Sequence, residues 1–122
     1  MKKLILLLLL TSVAFAQQKV FNVQHYCIDE KPFKSGVCDQ SGNEYSFVFL
    51  DIANQTVGLF LTDIKLKYKI TKTLTENGEM KYIIENAQGQ AQMRINKPQN
   101  KIEFIDSDKV IYLTVGKSTK AD

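Results

Sequence analysis

Tryptophan is absent, histidine occurs once and cysteine twice. One His and two Cys are too few ligands for a zinc ribbon, a finger array or a multi-histidine metal site. The expectation is a chain with no metal and no other cofactor. Excess charge of one sign is also scarce. Sixteen Lys+Arg face 13 Asp+Glu, a net charge of +3, which is too small to point to nucleic acid. No Gly-x-Ser-x-Gly elbow occurs. No internal repeat or low-complexity tract interrupts the chain, and past residue 16 no stretch shows the 3.6-residue period of an amphipathic helix. What is present is ordinary globular material, 44% hydrophobic and 24% charged over 122 residues, enough for one domain.

The start reads as an address. Met1-Lys2-Lys3 is basic, Leu4 to Leu10 is an unbroken apolar run, and Ala14-Phe15-Ala16 places small residues where a signal peptidase needs them. Cleavage after Ala16 would make Gln17 the new N-terminus. The apolar stretch to Ala16 spans about 20 Å as a helix, short of the roughly 30 Å hydrocarbon core. The competing reading is an uncleaved anchor. Loss of 16 of the 122 residues leaves 106, and loss of Lys2 and Lys3 takes the net charge from +3 to +1. The expected organisation is a signal peptide at 1–16, one β-domain at 17–115 and a loose polar tail at 116–122. No transmembrane segment is expected after removal of the signal, and the expected location is secreted or periplasmic.

Export places Cys27 and Cys38 where disulfides persist. They are the only two cysteines, so one pairing exists. Catalytic dithiols sit two residues apart at a helix start, which favours a structural bridge pinning the polar segment between them.

From Lys19 onward the apolar pattern has period two. Ile64-Lys65-Leu66-Lys67-Tyr68-Lys69-Ile70 alternates fully, as a half-buried strand does. Turn signals follow at short intervals. Glu76-Asn77-Gly78, read as a three-residue loop, sets Leu74 opposite Met80, Ile70 opposite Ile84 and Lys69 opposite Glu85. Gln88-Gly89 closes the next hairpin, with Ile84 facing Met93 and Tyr82 facing Ile95. Lys97-Pro98-Gln99-Asn100 places Pro98 second in a third turn, and Asp106-Ser107-Asp108 makes a fourth. Across Thr62-Asp63 the phase slips, through a bulge or a tight turn. The sum is an all-β, single-domain antiparallel meander of seven to eight short strands, barrel-like or, alternatively, a two-sheet sandwich. The expected core is Phe47, Phe49, Leu59, Leu61, Leu66, Tyr68, Ile70, Tyr82, Ile84, Met93, Ile95, Phe104 and Tyr112.

Chemistry is sparse. His25 would need a nucleophile or an orienting carboxylate to act as a base. Asp29-Glu30 and Asp106/Asp108 read as turn carboxylates that bond the local backbone or face water. Lys65, Lys67 and Lys69, with Lys72 beyond, form a basic stripe, read as a solvated face or a defended edge. Asn54-Gln55-Thr56 is a glycosylation sequon that matters only in a eukaryotic host. The segment Tyr26-Cys27 followed by Phe33 faintly resembles bacterial lysozyme inhibitors of the small-barrel type over about a dozen residues. No inhibitory loop of that kind is matched, and no family is assigned on it.

The functional expectation is a small exported, non-catalytic β-domain that binds a protein or envelope component, not nucleic acid, through its surface loops. Lys31, Phe33, Lys34 and Asn54 are the candidate loop contacts. The alternative is an exported inhibitor of a lysozyme or protease. A binder of small apolar ligands and a small hydrolase rank lower, the former because bulky side chains nearly fill a barrel this small.

Overall fold

The computed structural model describes residues 18–35, 37–43, 45–62, 64–116 and 119–120. The segment expected to be a signal peptide, with Ala14, Ala16 and Gln17, lies outside the described residues. The elements are β1 (Gln18–Glu30), β2 (Gln40–Gly42), β3 (Ser46–Asp51), β4 (Thr56–Phe60), β5 (Lys65–Glu76), β6 (Glu79–Asn86), β7 (Gly89–Ile95), β8 (Lys101–Ile105), β9 (Lys109–Val115) and β10 (Thr119–Lys120). All pairings are antiparallel. Strands β3 to β9 run as a meander, and β1 joins β3 on one side and β9 on the other. The result is an eight-stranded barrel, not a sandwich. Short β2 lies along the C-terminal half of β1, and β10, within the polar tail, lies along its N-terminal half.

Alternation of side chains sorts each strand into an inner and an outer row. The inner row is the core: Phe21, Val23, Ile28, Val48, Leu50, Val57, Leu59, Leu61, Tyr68, Ile70, Tyr82, Ile84, Ala91, Met93, Ile95, Ile102, Phe104, Ile111, Leu113 and Val115. Tyr68 stacks on Phe104 with ring centroids 6.1 Å apart. Four expected core residues depart from this row. Leu66 is only partly buried against the core, and Tyr112 points outward because Ile111 and Leu113 take the inner places on β9. Phe47 and Phe49 also point outward, because Val48 and Leu50 face in.

Three turns differ in detail from expectation. The β5–β6 hairpin has a two-residue Asn77-Gly78 turn with both residues at positive φ, 54° and 83°, the type I′ signature. Leu74 therefore faces Lys81, and Thr75 faces Met80. Continued down the hairpin, that register would set Ile70 against Glu85. A bulge at Thr71 absorbs one residue and restores Ile70↔Ile84 and Lys69↔Glu85. The Thr71 hydroxyl donates to the Ile83 carbonyl at 3.2 Å. In the β6–β7 hairpin Asn86 faces Gly89, so Tyr82 meets Met93 and Ile84 meets Ala91, two residues off the expected register. Asn86 Oδ1 accepts the Gln88 amide at 2.9 Å, which fixes the tight turn. Pro98 stands one place later than expected, since the Gln99 amide bonds the Asn96 carbonyl at 3.0 Å. The slip between β4 and β5 is a tight turn: Leu61 and Ile64 exchange backbone bonds of 2.8 and 3.3 Å.

Candidate functional site

Registers across β3, β4 and β5 fix which side chains share the outer surface. Phe49 lies opposite Gly58, and Gly58 opposite Lys67. One row up, Phe47 faces Phe60 and Phe60 faces Lys65; one row down, Asp51 faces Thr56 and Thr56 faces Lys69. The three phenylalanines cluster: the Phe49 and Phe60 rings meet edge-on with centroids 5.2 Å apart, and Phe47 lies 6.1 Å from Phe49. The Phe60 ring lies over the bare backbone of Gly58, where a Cβ would sit 3.5 Å from it, at ordinary contact distance.

The cluster is open to solvent. Phe49 is 37% exposed and the neighbouring Tyr45 is 91% exposed. A shallow depression of about 660 Å³ runs beside Phe49, Gly58 and Phe60 toward Lys67, Lys69 and Glu85. A second, about 610 Å³, lies on the other side, between Phe47, Tyr45 and Asn22. Lys65, Lys67 and Lys69 make no ion pair among the described residues. The Thr71 bulge moves the outer row onto even residues, so Lys72 joins the same face. An apolar centre with a cationic margin is thus displayed on rigid strands.

The candidate loop residues fall in two separate places. Asn54 belongs to the β3–β4 turn, where its amide and side chain bond Asp51 at 3.2 and 2.8 Å, beside the aromatic depression. Lys31, Phe33 and Lys34 follow β1 and cover its outer side. Lys34 is a brace. Its ammonium bonds Asp39 at 2.9 Å and the carbonyls of Glu30 and Pro32 at 3.0 and 3.1 Å, with Asp29 at 3.4 Å. The bond with Asp39 raises the Lys34 pKa and lowers that of Asp39, which also accepts the Glu30 amide. Phe33 is 49% exposed on this loop. Cys27 and Cys38 are bonded, with Cα atoms 5.2 Å apart, and tie the loop to β1.

Asp29 and Glu30 are not turn residues; they end β1, and Asp29 is buried. Asp106 does stand in a turn, where its Oδ1 accepts the Asp108 and Lys109 amides at 2.7 and 2.9 Å. His25 is exposed in a groove with Glu103, Lys101 and Tyr112, and no carboxylate lies within hydrogen-bond distance of it among the described residues. No helix among the described residues is long and apolar enough to cross a membrane.

The aromatic cluster was missed by pattern reading because Phe47-Val48-Phe49-Leu50 is apolar on both faces. The neighbouring hairpin holds the signal. With Leu59 and Leu61 inside, Gly58 and Phe60 point out, and a four-residue turn at 52–55 then puts Phe49 and Phe47 out with them. Comparison with known proteins found no matching family model and no matching curated sequence.

Proposed function

We propose that this chain is an exported, non-catalytic barrel that captures a protein partner on the outer face of β3, β4 and β5. The carrying observation is the solvent-open Phe47–Phe49–Phe60 cluster over Gly58, bordered by Lys65, Lys67 and Lys69. Desolvated aromatic anchors inside a polar rim are how protein interfaces concentrate binding energy. The matching partner presents an apolar side chain ringed by carboxylates. The basic N-terminus with its apolar run, together with the disulfide, supports export. His25 without a carboxylate partner supports a non-catalytic role. The interior is occupied by Phe21, Tyr68, Tyr82, Met93 and Phe104, which favours surface recognition over an enclosed apolar ligand.

The test is affinity capture from the envelope and medium of the source organism, with wild type beside Phe49→Ala, Phe60→Ala and Lys67→Glu. A specific protein retained by wild type and lost at least tenfold by each variant, with unchanged circular dichroism, is the expected result. Equal capture by all four proteins would overturn the assignment.

One observation favours a second reading, inhibition of a hydrolytic enzyme. The loop after β1 is tied by the disulfide and braced by Lys34, and it exposes Phe33. A pre-ordered loop loses little entropy on docking. Inhibition of one member of a lysozyme and protease panel at micromolar concentration, abolished by Phe33→Ala, supports this reading; a silent panel removes it.

A further inference from the structure

Strand β5 is longer than the neighbour that covers it. β4 pairs with β5 only as far as Lys69, and the Ile70 amide goes to the Gln55 carbonyl at 2.7 Å. From Lys72 to Glu76 the strand pairs with β6 on one side, and no strand among the described residues pairs with its other side. The hairpin arm projects: residues 71 to 78 are all exposed, and Leu74 stands out at 41%.

Most proteins blunt such an edge with proline, a bulge, a very short strand or charges that repel a second strand. The stretch Lys72-Thr73-Leu74-Thr75-Glu76 has no Pro or Gly, and its bulge lies before it at Thr71. Its two charges are opposite and symmetrically placed about Leu74. Lys72, Leu74 and Glu76 share the outer face, while Thr73 and Thr75 share the other.

We infer that β5 pairs with β5 of a second copy of this chain, antiparallel and centred on Leu74. In that register Lys72 faces Glu76 of the other copy twice, and Thr73 faces Thr75 twice. Leu74 meets its own counterpart. The backbone agrees. Glu76 flanks a two-residue turn, so Glu76 and Leu74 bond into β6, and alternation turns the amides and carbonyls of Thr75 and Thr73 toward the free edge. Thr73 and Thr75 of two copies then form hydrogen-bonded pairs. Leu74 falls at the non-hydrogen-bonded site between them, where side chains approach most closely. Threonine suits a paired strand, and the charges favour this register over a slip by two. The seam is short, so a dissociation constant of about 10 µM to 1 mM is expected.

Three measurements test it. Sedimentation of the purified protein should show dimer growing with concentration, up to about 1 mM. Lys72→Glu or Glu76→Lys alone makes both ion pairs repulsive and should weaken dimerisation about tenfold, while the double exchange should restore it to within about threefold. Under mild oxidation Leu74→Cys should cross-link to a second copy, with Cβ atoms about 4.5–5.5 Å apart. Thr73→Cys should not, because residue 73 and its counterpart are diagonal, about 7–8 Å apart. The Cys variants leave both charges in place, along with the ion pair that Glu76 makes to Lys81 within each copy at 2.9 Å, so they stand even if a charge variant melts early. A chain monomeric throughout overturns the inference, whether or not the edge accepts a strand from another protein. So does equal cross-linking at 73 and 74, or a double exchange no more dimeric than the single variants.

Discussion

Asp29 is the one charged side chain that is buried among the described residues. Its oxygens accept the Lys34 amide at 3.2 and 3.1 Å and face the Lys34 ammonium at 3.4 Å. A buried carboxylate persists only when its lone pairs are met. Asp29→Ala leaves the Lys34 amide without its acceptor and should cost about 1–3 kcal/mol in urea denaturation. Three carboxylates contribute to stability against acid. The Lys34 ammonium holds Asp39 below the usual range, aided by the Glu30 amide. Lys81 does the same for Glu76. Burial alone would push Asp106 up, but the Asp108 amide, the Lys109 ammonium and the Lys109 amide together bring it down. Each folded-state pKa lies below its unfolded value, so the stabilisation is complete above about pH 5 and drains away as pH falls through the folded values. The Tm should fall as pH drops below about 4, and Asp39→Asn with Asp106→Asn should flatten that fall. A wild-type Tm constant over this range contradicts the assignment.

Hairpins govern the next scale. At Asn77-Gly78 both residues are left-handed, and a Cβ on Gly78 would also come within 2.9 Å of the Lys97 side chain. Asn tolerates this conformation better than Ala. Asn77→Ala and Gly78→Ala should each cost about 1–2 kcal/mol, read by thermal or urea unfolding. Deleting Thr71 leaves Lys72 opposite Ile83 and Ile70 opposite Ile84 in one unbroken register, so the far-ultraviolet β spectrum should persist and only the local bend of β5 be lost. Strand identity was legible from alternation because the inner row must be apolar along Leu66-Lys67-Tyr68-Lys69-Ile70. Turn positions were legible from Asn-Gly, Gln-Gly and Asp-Ser-Asp. Register was harder. A three-residue loop and a two-residue loop plus a bulge both bring Ile70 to Ile84, and only the inter-strand geometry separates them. The outward Phe47 and Phe49 were hidden for a related reason. Where both faces of a strand are apolar, phase comes from the partner strand, here from Gly58 and Leu59.

Over the whole molecule, the disulfide and the closing seam act on the same strand. Cys27 lies in the half of β1 that pairs with β9, and its bridge closes an 11-residue separation. Cys27→Ser with Cys38→Ser should lower stability by about 2–3 kcal/mol through added freedom of the unfolded chain. The far-ultraviolet β signature should remain, because the barrel seam does not depend on the loop. A variant that loses its β spectrum at 25 °C would mean the bridge, not the core, holds β1 in place.

That strand carries a consequence in time. Of the described strands β1 is made first, and the partner that completes it, β9, is made last but one. A polypeptide delivered head first can wind β3 through β8 as each emerges, but its opening strand must wait, matched on one side only, until Lys109 to Val115 arrives. A nascent chain halted before that point carries every hairpin of the meander but the last and still lacks a finished cylinder.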